Sequence, residues 1–397
     1  MIKASKLMVA VFVAAAGLPA QASQITTTPV VVKHVLTADY LRGPALDTAL
    51  SPTELAPYLS WASTSFQLNP AVRAAGIRVM YYTDPFRQNP TNAMYTNDET
   101  TYAHACDGSR IKSLSYKDMY LMDPSSPSLR ALYRQHIASR SASVQWDAFF
   151  VDDANSLYDL SDTPCGYTSD SFRAASKKLI EGIHVPVIYN GLQIDKEREL
   201  NMVPNVIGGM EEGCYASAVS RPKIWDKYWT QIENTEIEMT EDKKLFFCYG
   251  VDTSDAASAI DGRTYTYASF LLTYSTKWSV LWELYSTPSR FRVEPESKLV
   301  ALDPLIPTPT DISGLKLLTG VYGREYRKCY IGGAAVGACA VVVNPDRQNS
   351  HDYPYSGKYQ HTLALTGGGV LDGGSVSTLG STPPDVLAPL SAVIVFR

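Results

Sequence analysis

Eight short apolar runs, separated mostly by stretches of helical periodicity, set the strongest limit on what this chain can fold into. They are VVVKHVL near 31–37, GIRVMYY at 76–82, DMYLM at 118–122, WDAFFVD at 146–152, VPVIYN at 185–190, NVIGGME at 205–211, KLFFCYG at 244–250 and SVLWELY at 279–285. Strands buried on both faces read as continuous apolar runs, and a helix between two of them supplies the crossover that parallel pairing needs. Eight such units are the number that closes a (β/α)8 barrel, a fold of about 250 residues. A doubly wound open sheet fits the same alternation, but no glycine-rich phosphate loop occurs, which favours closure.

The intervening segments carry helix-start signals. Ser51-Pro52-Thr53-Glu54 has the form of a capping box with proline at the first helical position, and Ser126-Pro127 opens another helix. Leu129, Leu132, Tyr133 and Ile137 then recur at helical spacing, as do Phe172, Ala175, Leu179 and Ile183. Ile224, Tyr228 and Ile232 mark a further helix, and residues 267–274 lie in one more. After Pro304, Pro307 and Pro309 the texture becomes short strand-like runs broken by glycine and proline, which predicts a small antiparallel β-sandwich. The expected organisation is an export signal over 1–22, a catalytic barrel over 23–304 and a β-sandwich over 305–397.

The signal is read from Lys3 and Lys6, the apolar run 7–18, and the small-residue end Ala20-Gln21-Ala22. A secreted or periplasmic protein is therefore expected. In that setting six cysteines point to bridges rather than metal ligands, since no C-x-x-C occurs and the histidines are scattered. Cys329 and Cys339 flank CYIGGAAVGAC as a hairpin staple; Cys106 and Cys165 fall in polar loops; Cys214 and Cys248 follow or end strand-like segments, and are paired with each other. A formal charge of −5 without a basic run argues against nucleic acid, and no later segment is apolar for long enough to span a bilayer. A monomer without cofactor or metal is expected.

In a parallel barrel the chemistry lies at the carboxyl ends of the strands. Those positions hold Asp84, Asp123, Asp152, Asp153, Asn190, Glu211, Glu212 and Asp252, with Trp282 and Glu283 in the eighth run. Singly, these residues read as turn formers, helix caps or core; together they put mutually repelling carboxylates where the fold needs none. A polyol substrate, a metal ion, or a catalytic acid with its nucleophile would use them. Glycoside cleavage needs one carboxylate ionised and one held protonated, and Asp152 and Glu212 end strands two places apart.

The segments YLMDPSSPSLRALYRQHI, WDAFFVDDAN, VIYNGL and GGMEEG resemble glycosyl hydrolases of (β/α)8 type. The similarity is to the hypothetical glycosyl hydrolase family fifteen-like proteins and, more distantly, to the endo-α-1,4-polygalactosaminidase family, over roughly residues 30–300. It implies Asp152 as the nucleophile, Glu212 as acid/base and Asn190 as a substrate contact. Ala148 stands where the family has glycine, and the adjacent Glu211 leaves the acid open by one residue. The remaining candidates, Asp84, Asp123, Asp153, Glu211, Asp252, Trp282 and Glu283, would bind substrate. The expected activity is retaining hydrolysis of a polysaccharide; a non-catalytic carbohydrate-binding barrel and a metal-dependent hydrolase are the alternatives.

Overall fold

A computed structural model describes residues 37–40, 52–56, 59–64, 70–91, 97–154, 157, 160–192, 197–215, 226–250, 257–283, 295–366 and 375–397. The export signal over 1–22 and Asp252 lie outside the described residues.

Eight parallel strands close a barrel: β1 (Thr37–Tyr40), β2 (Trp61–Thr64), β3 (Arg78–Thr83), β4 (Ala148–Val151), β5 (Val187–Asn190), β6 (Val206–Glu212), β7 (Leu245–Gly250) and β8 (Ser279–Glu283). Each pairs with its neighbour in sequence, and β8 returns to β1 through Thr37 opposite Leu281. The closed, parallel barrel agrees with the sequence reading, but its membership does not. The run at 118–122 is not a barrel strand; Tyr120–Leu121 pairs antiparallel with Arg87–Gln88 in an excursion between β3 and β4. Its place in the count is taken by Trp61–Thr64, which pairs with both β1 and β3.

Alternation along the strands builds the interior. Trp61, Met80, Ala148, Phe150, Ile188, Met210, Leu245, Phe247, Tyr249, Val280 and Trp282 form one buried cluster, and they sit at matching parity on seven strands. Phe150, Phe247 and Tyr249 meet Trp282 edge-on, with ring centroids 5.0, 5.7 and 6.2 Å away. Each such contact contributes about 0.5–1.5 kcal/mol beyond burial and gives the mouth of the barrel a rigid floor. Gly208 in β6 serves the same closure: a Cβ there would stand 2.6 Å from the Leu245 carbonyl oxygen on β7.

Outside the strands lie α1 (Pro52–Leu55), α2 (Pro70–Ala74), α3 (Pro127–Ser143), α4 (Ser169–Glu181), α5 (Asp226–Glu241) and α6 (Ala257–Thr273). Ser126 caps α3 by accepting from Leu129 N at 3.3 Å, and Leu129, Tyr133 and Ile137 are buried as their spacing predicts. Thr168 and Ser171 form a capping box on α4. Among the described residues no helix is long and apolar enough to cross a membrane.

The C-terminal part is an antiparallel sheet of β9 (Leu299–Pro304), β10 (Lys316–Leu318), β11 (Val321–Ile331), β12 (Ala334–Asn344), β13 (His361–Thr362) and β14 (Ser391–Phe396). The order is β9-β11-β12-β14-β13, with β10 on β11. The sheet begins at Leu299, ahead of the proline-rich stretch that the sequence marks as the boundary. One face packs on α6 through β14 and β12. The other carries Val321, Val342 and Val395, covered by Tyr353, Tyr359 and Leu387. That cover includes a two-stranded ribbon, His351–Asp352 with Val386–Leu387.

Candidate active site

The carboxyl ends of β3 to β8 surround a cleft of about 520 Å3, within the range of small-molecule sites. Phe150, Met210, Tyr249 and Trp282 supply its apolar lining; Asp84, Asp152, Asp153, Asn190 and Glu212 bring the polar groups.

Asp152 follows β4 and is held from three sides. The Tyr82 hydroxyl donates to its Oδ2, Asp153 N donates to Oδ1 at 2.9 Å, and Asn190 Nδ2 donates to Oδ1 at 2.8 Å. Its own amide is fixed on the Thr83 carbonyl at 2.8 Å. Asp153 adopts φ 50°, a left-handed conformation that Asp tolerates better than most residues. Its carboxylate meets Arg87 Nε at 3.2 Å.

The same Asn190 nitrogen donates to Glu212 Oε2 at 2.7 Å. The two accepting oxygens therefore lie no more than about 5.5 Å apart, short of the roughly 6.5–9.5 Å that inverting glycosidases keep between their carboxyl groups. Burial raises the Glu212 carboxyl above its ordinary range; the Asp152 charge adds to the rise, while the Asn190 hydrogen bond and Arg87 oppose it. Gly213, at φ 76°, turns the chain immediately after Glu212. Burial, then Asp153 and Asp152, raise Asp84 well above the carboxylate range, although its Oδ1 accepts from Phe86 N and Arg87 N, both at 2.9 Å.

Strand register separates the adjacent glutamates. Met210 pairs with Phe247 and Glu212 with Tyr249, all on the inward parity; Glu211 pairs with Cys248 on the opposite parity, is buried, and does not line the cleft. Asp123 is also away from the cleft. It accepts from Ser125 N at 2.8 Å and from the Tyr167 hydroxyl, shaping the turn into α3. Its displacement follows from the 118–122 run being a hairpin strand. Glu283 ends β8, and its side chain lies outside the described residues, as does Asp252.

Four cleft residues with polar groups escape the sequence reading: Tyr82, Arg87, Tyr116 and Tyr249. Tyr82 and Tyr249 could have been found from parity, because each stands two residues beyond a core position on its strand. Arg87 and Tyr116 sit in the excursion, where polar sequence reads as solvated loop.

The cysteines pair as Cys106–Cys165, Cys214–Cys248 and Cys329–Cys339, with Cα separations of 4.7, 5.3 and 6.0 Å. Cys214–Cys248 ties the end of β6, just past Glu212, to β7. Among the described residues no group of three His, Cys, Asp or Glu side chains has the arrangement of a metal site.

No family profile and no curated protein matches the chain. Solved structures similar to it include the glycoside hydrolase domain of PelA from Pseudomonas aeruginosa, at 11% identity over 64% of this chain and 96% of that one, TM-score 0.45. Another is Aspergillus fumigatus Ega3 in complex with galactosamine, at 12% identity over 64% and 92%, TM-score 0.41. A third is Amy13B of Eubacterium rectale, at 7% identity over 93% and 96%, TM-score 0.46.

Proposed function

We propose that this protein is an exported glycoside hydrolase that cleaves a polysaccharide with retention at the anomeric carbon. The observation that carries the reading is the pair Asp152 and Glu212, bridged by one amide nitrogen at a spacing of about 5.5 Å or less. Asp152 attacks the anomeric carbon as the bond to the leaving sugar breaks. Glu212, held protonated by burial and by the neighbouring charge, gives its proton to the departing oxygen. Water then attacks the same carbon, Glu212 takes a proton from it, and Asp152 is released. Tyr82 and Asn190 orient the nucleophile throughout. Asp84 and Asp153 are assigned to substrate hydroxyls, and Trp282 to the floor beneath the sugar. The C-terminal sheet with its covering ribbon is read as a minimal β-sandwich accessory to the barrel.

With Glu212 and Asp84 raised toward their neutral forms, Asp152 and Asp153 still outnumber the single guanidinium of Arg87, which Asp153 engages. Such a cleft repels anionic polymers and accepts neutral or cationic ones. The test is a reducing-end assay on a neutral α-glucan, a galactan, chitosan, a de-N-acetylated galactosaminan and alginate. New reducing ends from a neutral or cationic polymer, absent with Asp152→Asn, support the reading. NMR of the first-formed anomer distinguishes retention from inversion. Binding without cleavage by the wild type would replace it with a carbohydrate-binding barrel.

A further inference from the structure

The excursion between β3 and β4 is built as a wall of the cleft. A bridge pairs Ser113 with Leu160, Lys112 N donates to Ser161 Oγ at 3.0 Å, and Ser161 N returns to the Lys112 carbonyl at 2.8 Å. The Cys106–Cys165 disulfide joins the same two segments again, with Cys165 N on the His104 carbonyl at 2.8 Å. At the tip of this wall stands Tyr116. Its amide donates to Ser113 Oγ at 3.1 Å, its carbonyl accepts from Met119 N at 3.1 Å, and Arg87 reaches Ser113 Oγ at 3.3 Å. The Arg87 guanidinium lies 5.9 Å from the centre of the Tyr116 ring.

A backbone pinned this firmly carries a ring that is 54% exposed and yet lines the cleft. Phe150, Tyr249 and Trp282 line the same cleft but are buried, so they form its floor and the exposed Tyr116 its rim; a sugar seated over the floor leaves the next residue of its chain at the rim. Burial, then the charges of Glu212, Asp153 and Asp152 in that order, hold the phenol above its ordinary range, so it stays neutral; Arg87 acts the other way. Glu212 and Tyr116 line the same cleft. The group that protonates a departing oxygen has the departing sugar on its own side.

We propose that Tyr116 is the stacking wall of the leaving-group subsite, where its ring face meets the pyranose ring that departs, and that this contact favours oligomers over small glycosides. The inference rests on the assignment of Glu212 as the acid and names the substrate contact beyond it. Aromatic rings suit such a site because they present apolar area at little conformational cost with a polar tip at the edge.

The experiment compares two substrates in the full chain: a pentasaccharide of the polymer cleaved in the reducing-end screen, and the glycosyl fluoride of its monomer. The fluoride fills the inner subsite and places no sugar against Tyr116. Tyr116→Ala is expected to lower kcat/KM on the pentasaccharide about tenfold more than on the fluoride, mainly through KM. Tyr116→Phe, which keeps the ring, should restore the pentasaccharide value to within about twofold of the wild type. Equal losses on both substrates, or no loss on the pentasaccharide, would overturn the subsite while leaving the hydrolase reading intact. A wild type inactive on every polymer and fluoride would remove that reading and this one with it.

Discussion

Asp152 and Glu212 meet at a single amide nitrogen, that of Asn190, at 2.8 and 2.7 Å. An amide nitrogen has two hydrogens, so one can be spent on each carboxyl without competition. Two acidic groups this close would otherwise repel and drift apart, and burial would strengthen that repulsion. The asparagine thus sets both the separation and the relative orientation of the pair, and it is itself fixed as the last residue of β5, paired with Met210 on β6.

Asn190→Ala should therefore lower kcat by roughly 10²-fold, the scale for removing one preorganised donor from a charge-developing site. The thermal midpoint should fall as well, because two carboxyl groups lose their shared donor, a loss of about 1–3 kcal/mol. Asn190→Asp should be worse than alanine, since it replaces the shared donor with a third carboxyl group. Steady-state kinetics beside a melting curve check both; an alanine variant with wild-type kcat would mean that the pair holds its geometry without the bridge.

The same contacts give the pH dependence a direction. Catalysis needs Glu212 protonated, so activity falls as pH rises through its raised pKa. The Asn190 hydrogen bond stabilises the ionised form, and its removal in Asn190→Ala should move the alkaline limb of the residual activity to higher pH. Removing the Asp152 charge acts oppositely: in Asp152→Asn, Glu212 should titrate lower than in the wild type, read by NMR of 13C-labelled glutamate. Two shifts of the same sign would contradict the assignment of causes.

How much of this was legible beforehand follows from where burial shows in sequence. β3 to β8 could be read because strands covered on both faces must be apolar throughout. Trp61-Ala-Ser-Thr could not, since its burial is imposed by β1 and β3 rather than by its own composition. Residues 118–122 misled for the converse reason: Leu121 and Met122 are fully buried, but beneath an excursion rather than in the barrel wall. Apolar run length cannot separate those cases. Glu211 and Glu212 posed a problem of phase, because a strand's inward parity is fixed by its neighbours' register and not by the strand itself. Arg87 and Tyr116 lie where no periodicity operates.

The Cys106–Cys165 bond closes a loop over a sequence separation of 59. On chain-entropy grounds the double variant Cys106→Ser with Cys165→Ser should lose about 2–4 kcal/mol of stability. Because the bond joins the segment carrying Tyr116 to the one following Asp153, the variant should also raise KM on the pentasaccharide more than it lowers kcat. Urea midpoints and pentasaccharide kinetics test the two halves separately. Unchanged values in both would show that the backbone pairing of Lys112 and Ser161 suffices to hold the wall.

A second acidic pair lies outside the cleft and governs stability instead. Glu233 and Glu236 of α5 are fully buried, each with a carboxyl oxygen 2.8 Å from Thr273 Oγ1, whose single hydrogen can serve only one of them while a protonated carboxyl donates to the same oxygen; Glu236 also accepts from Ser279 Oγ. Burial pushes Glu236 from 4.5 up to about 7, against the lowering effects of Ser279, Thr273 and Arg324, and it raises Glu233 well above the carboxylate range, with the Glu236 charge adding to that rise. Between pH 4.5 and 7 the unfolded chain has released a proton that folded Glu236 still holds, so unfolding gains on folding as pH rises. The contribution is fully present below about pH 4.5 and is lost as pH climbs through about 7, by up to about 3 kcal/mol for this one group. Glu236→Gln keeps the shape and a carbonyl acceptor but carries no charge to desolvate. Its urea midpoint should fall less than that of the wild type between pH 5 and pH 8, and should exceed the wild-type value at pH 8. Glu233 also loses a like-charged neighbour in that variant, which flattens the profile further. A variant that loses as much stability as the wild type over this interval would place the pH-sensitive group elsewhere.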